Sequence, residues 1–159
     1  MFVLTGVVVP YVQYHIGKNG LKALKIELKA QKKRFADLEE MVWKNQGDFF
    51  CMQTNILNGH KDYAAGLTSI LRALFCYLEA GYNDKLDNVF TMIDFIFKKE
   101  TDILEVKVKA ITPAVWTREP ELRDAYNEAC KKLEENKMYR KYLMTLKEYA
   151  KALDGPTVK

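Results

Sequence analysis

Cys51, His60 and Asp62 are the nearest approach in this chain to a nucleophile, a base and an orienting acid. Nucleophilic catalysis needs a thiolate within reach of a base. Cys51 stands about two turns before the predicted end of a helix, and His60 lies just past it. A helix C-terminus favours a protonated imidazole and disfavours a thiolate. The spacing therefore predicts a core cysteine and a loop histidine. Metal ligation is equally poorly served. There are two histidines, His15 and His60, and no Glu-x-x-His, His-x-x-x-His or Cys-x-x-Cys. Gly17-Lys18-Asn19-Gly20 leads into a helix and could offer free N–H groups to an anion. It lacks the Lys-Ser/Thr that completes a phosphate cradle and reads as a hinge. The acid pairs Glu39-Glu40 and Glu134-Glu135 read as solvated partners of nearby bases, Glu40 with Lys44 for example. No catalytic, cofactor-binding or metal-ligating residue is expected, and the chain reads as a non-enzyme.

A basic stripe is the strongest functional signal. Lys18, Lys22, Lys25, Lys29 and Lys32 recur at spacings of four and three, with Lys33 and Arg34 beside them. Between Lys18 and Arg34 there are seven positive residues and one acid, Glu27; from Asp37 to Asp48 there are four acids and one base. Bases in a first helical turn oppose the helix macrodipole, so helix stability does not explain them. A solvated face is one reading. An anionic membrane or lipid surface is another, because the stripe follows the apolar residues 2–16. Nucleic acid is the weakest, since 18–34 holds no aromatic residue for base stacking. The net charge of +4 does not by itself imply nucleic acid.

The elements that carry these residues are helical. Leu21, Leu24, Leu28, Gln31, Phe35, Leu38, Val42, Asn45, Phe49, Met52 and Ile56 alternate at three and four, five heptads with nine apolar seam positions. Such spacing keeps one stripe facing one partner. It predicts one long helix over about 20–57, with Gly47 a weak point and Asn58-Gly59 the stop. A helical hairpin follows over about 62–99. Asp62 caps its first helix (about 62–80), and Asn83 or Asp84 its second (about 84–99). Residues 103–111 alternate like a strand, with helical continuation the rival reading and the Val-rich segment 2–12 the expected strand partner. A long helix over about 118–153 is expected to kink or break near Asn136 and to end at Asp154-Gly155-Pro156. Tyr126, Tyr139, Tyr142 and Tyr149 on it are candidate interface residues.

The chain is 159 residues long, 48% hydrophobic and 29% charged, with a single serine. That composition excludes disorder and linker classes. The reading is a single all-α domain, 1–159, in which 1–17 is an apolar segment that contacts a membrane or a partner. The seam is too long for the hairpin alone, so part of it packs on the last helix or on another chain. Cys51, Cys76 and Cys130, odd in number and widely spaced, suggest a reducing intracellular compartment, with membrane association where 1–16 meets a bilayer. Run 2–16 is shorter than the roughly 20 apolar residues of a span. The function expected is a structural or adaptor subunit of a larger, membrane-apposed assembly. The alternatives are a soluble helical module that regulates one protein partner and a nucleic-acid-binding helical protein.

Overall fold

The computed structural model describes residues 3–154, with side chains at 14, 17–102 and 104–153. It is an all-α protein with one small hairpin. Helix α1 runs Val3–Gly59, α2 Tyr63–Glu79, α3 Leu86–Lys98, α4 Pro113–Arg118, α5 Pro120–Glu134 and α6 Arg140–Asp154. Contacts divide the chain into two compact units, 1–39 and 40–159, and the division falls inside α1 and not in a linker. The expected strand at 2–12 is replaced by helix from Val3 onward. The expected terminator lies, from Gly155, outside the described residues.

In the second unit α2 is the central element. Leu67, Ile70, Leu71, Ala73 and Leu74 are essentially inaccessible to solvent. A helix apolar on nearly every side must be enclosed. Ile93 and Ile96 of α3, Leu122 and Leu133 of α5, and Leu146 of α6 supply the enclosing side chains. Asp62 caps α2 as expected, accepting from the Ala65 N–H at 3.2 Å. Gly81, at φ +65°, closes α2: Tyr82 N–H bonds to the Tyr77 carbonyl and Gly81 N–H to that of Leu78. That is a Schellman closure, and the Tyr77 and Tyr82 rings meet beside it at 6.0 Å.

Three local expectations are corrected. First, α1 ends at Gly59 as expected, but neither Asn58 nor Gly59 supplies the left-handed residue of the stop. Lys61 takes the left-handed conformation, φ 63°, and Asp62 N–H bonds to the Leu57 carbonyl at 2.9 Å. Second, Asn83 and Asp84 do not cap α3; they form a 3-10 turn, Asn83–Lys85, that feeds it. Third, the strand within 103–111 pairs with its own upstream neighbour. Strand β1 (Glu100–Ile103) runs antiparallel to β2 (Val106–Lys109), Ile103 opposite Val106, around Leu104-Glu105. Both turn residues have positive φ, 50° and 66°, as a two-residue primed turn requires. The C-terminal helix is broken, not merely kinked. Asn136 accepts from Met138 N–H at 3.0 Å and sets a 3-10 turn, Lys137–Tyr139, between α5 and α6. Helix α4 was not foreseen; Thr112 caps it and Pro113 occupies its first turn.

Candidate docking face on the long helix

Helix α1 can be lettered as heptads from Leu21 at position a. Positions a are then Leu21, Leu28, Phe35, Val42, Phe49 and Ile56; positions d are Leu24, Gln31, Leu38, Asn45 and Met52. Within residues 40–59 the helix meets its own core through positions b, c and f, the face opposite the seam. Trp43 packs edge-on against Phe75 at 6.0 Å. Lys44 lies over the Tyr82 ring at 4.6 Å, which leaves the expected Glu40–Lys44 pair unformed. Gly47 lets Tyr77 approach: a Cβ there would stand 2.6 Å from Tyr77 Cε1. Thr54, fully buried, donates to the Phe50 carbonyl at 2.8 Å and reaches the Gly66 carbonyl at 3.3 Å. Small residues bring the two helices close, so the seam turns outward.

The seam is accordingly bare. All nine apolar seam residues are 51–70% exposed, and Gln31 and Asn45 are exposed too. Those up to Leu38 belong to the first unit, and those from Val42 to the second. Within the second unit, Val42, Phe49, Met52 and Ile56 stay more than half exposed beside the last helix. The seven bases Lys18, Lys22, Lys25, Lys29, Lys32, Lys33 and Arg34 are all exposed. Among the described residues, no ion pair involves any charged side chain between 18 and 40.

The four tyrosines are engaged inside the chain. Tyr139 donates to Asn83 Oδ1 at 2.6 Å, Tyr142 to Asp87 Oδ1 at 2.5 Å, and Tyr149 to Asp94. Their rings bind the same helix: Phe97 stacks on Tyr149 at 4.4 Å, and Phe90 lies 4.6 Å from Tyr142. Tyr126 meets Trp116 edge-to-face at 5.2 Å. The hydrogen bond from Tyr142, then Lys141, lowers the Asp87 carboxyl; Lys98, then Tyr149, does so for Asp94. The sequence carried the signal unread: Asp87 and Asp94, seven apart on α3, match Tyr142 and Tyr149, seven apart on α6.

The Cys51–His60–Asp62 group does not assemble. Cys51 Sγ pairs with the Tyr77 hydroxyl at 3.5 Å, and that hydroxyl donates to Asp48 Oδ1 at 2.6 Å. Asp62 is spent on its cap, and His60 is exposed. All three cysteines are free thiols. Burial pushes Cys51 and Cys130 up and Cys76 to about 11, so none favours a thiolate near neutral pH. Asp62, Thr68, Arg72, Glu119 and Glu121 line a cleft of about 530 Å³, where Arg72 and Glu121 pair at 3.2 Å. No group of three or more potential metal ligands gathers among the described residues, and no helix among them is long and apolar enough to cross a membrane.

No family model matches the chain, and no curated protein or solved structure matches it.

Proposed function

We propose that the chain is a non-catalytic structural or adaptor protein that joins a larger assembly through the a/d seam of α1. One observation supports this most: nine apolar side chains in heptad register, every one more than half exposed. The residues that stabilise the second unit lie on other faces, so the seam is not needed for its core. The test is native size in lysate of the source, with Leu28→Lys and Leu38→Lys beside the wild type. A particle well above the chain's own mass is expected, falling in size with either substitution. A wild-type chain that runs alone, at the size of the lysine variants, would overturn the reading.

The exposed bases support a second role in the same assembly, contact with an anionic lipid surface. Each base near such a surface contributes about 1 kcal/mol. Binding to phosphatidylserine vesicles, lost on adding salt and absent with phosphatidylcholine, is the expected result. Equal binding to both lipids would remove this role.

A further inference from the structure

We propose that the occupant of the seam is a second copy of this chain, lying parallel and in register as a two-stranded coiled coil. The proposal rests on the reading of the seam as a docking face. Three features of the sequence in its observed helical setting favour a like partner in this orientation.

The first is where the polar seam residues fall. Gln31 and Asn45 are both at d, and every a position is apolar. Antiparallel coiled coils pack a against d of the partner, so any antiparallel register sets each amide against an apolar side chain. A parallel in-register pair packs d on d. Gln31 then meets Gln31 of the second copy, and Asn45 meets Asn45. An amide carries both donors and an acceptor, so each self-pair satisfies its own hydrogen bonds. Sliding one chain by a single heptad places Gln31 against Leu38 and Asn45 against Met52, which leaves both amides unpaired.

The second is flanking charge. In parallel coiled coils a g residue reaches the e residue five positions on in the partner, and these pairs set orientation. The g positions are Gly20, Glu27, Arg34, Met41, Asp48 and Asn55; the e positions include Lys25, Lys32, Glu39, Gln46 and Gln53. Glu27 therefore meets Lys32 of the second copy, and Arg34 meets Glu39. No two like charges meet. All four side chains are exposed and, among the described residues, make no ion pair. The central antiparallel register, with Phe35 opposite Leu38, sets Lys32 near Glu39 but Glu27 near Asp48, so its attractions are offset by repulsion.

The third is length. Five heptads exceed the three or four that sustain a coiled coil. The face of α1 that binds its own core, b, c and f, is the one a two-stranded coil leaves outside.

The experiment uses the purified full chain. Sedimentation should give a species of twice the chain mass. Leu24→Cys, at an exposed d position, should form a covalent dimer under mild oxidation, while the wild type, with its three free thiols, does not. An antiparallel pair would hold the two introduced cysteines roughly 37 Å apart in that central register, at 1.5 Å per residue, and give no cross-link. Glu27→Lys alone should weaken the dimer about tenfold, and Lys32→Glu in the same chain should restore it to within about twofold. These positions are exposed, so circular dichroism should match the wild type. A monomer at tens of micromolar, a dimer that does not cross-link, or failure of the charge swap to restore it would each overturn the proposal. If the purified chain is monomeric but Leu28→Lys still shrinks the particle in lysate, the self-pairing falls and the docking face stands. If neither holds, both fall.

Discussion

At the residue scale the least expected position is Gly47. Its lack of a side chain, a helix weakness on propensity alone, lets Tyr77 sit against α1. The Tyr77 ring cannot easily retreat, because its hydroxyl is held by Asp48 and Cys51. Alanine on an open helix face would add about 0.5–1 kcal/mol of stability. Overpacking at this contact costs about 1–3 kcal/mol and reverses the sign. Gly47→Ala should therefore lower the denaturant midpoint, while Gly59→Ala, where a Cβ meets nothing, should not. A stabilised Gly47→Ala would show that the contact yields.

The tyrosine–aspartate pairs set a pH window. Asp87 and Asp94 are lowered in the folded state, so their share of stability is present above the ordinary carboxyl pKa and is lost as pH falls through the folded values. Tyr142 and Tyr149 are raised, chiefly by burial and then by the same carboxylates. Their share is present below the ordinary phenol pKa and is lost as pH rises through the folded values. The link between α3 and α6 should thus be firmest between about pH 4 and pH 10. The melting temperature should hold across that range and fall below about pH 4 and above about pH 10. The combined change Tyr142→Phe and Tyr149→Phe should flatten both arms, and an unchanged profile would remove the pairs from the stability account.

At the element scale the chain stops α1 with a lysine where glycine is the usual choice. Left-handed backbone costs an L-residue about 1–2 kcal/mol, against about 0.5–1 kcal/mol of extra chain entropy for glycine. Lys61→Gly should stabilise the second unit by about 0.5–1 kcal/mol, a rise in Tm of about 1–4 °C. A fall in Tm would mean that the lysine side chain makes a contact worth more than the strain. The same physics explains what the sequence hid. The hairpin turn, Leu104-Glu105, holds no Gly, Asn or Asp, so nothing marked two positive φ angles. The crossing of α1 and α2 is built from Gly47, Thr54 and Gly66, residues without hydrophobic signal, whereas periodicity drew attention to the opposite face. What was legible followed from strong local rules: the heptad spacing, the Asp62 cap and the break at Asn136.

At the scale of the molecule, the seam was expected to pack in part on the last helix or on another chain, and within the second unit the last helix does not reach it, for a geometric reason. Helix α6 is held on α3 by Tyr142 and Tyr149, Tyr139 ties together the 3-10 turns that precede the two helices, and the core takes the far side of α1. Periodicity shows that a stripe exists and not which neighbour covers it. At a chain concentration where both are monomeric, Leu38→Lys should accordingly leave the melting of the second unit within about 0.5 kcal/mol of the wild type, the usual range for surface changes. Loss of the folded core would place Leu38 in an intrachain contact.

Residues 40–59 of α1 serve two masters at once. One side completes the core around Tyr77, and the other carries Val42, Phe49, Met52 and Ile56. Anything that binds the native helix and not its unfolded form must draw the folding equilibrium with it. Docking on the seam is therefore thermodynamically linked to folding of the second unit: occupancy outside raises stability inside, and a mutation that loosens the core also weakens the affinity of a surface it never touches.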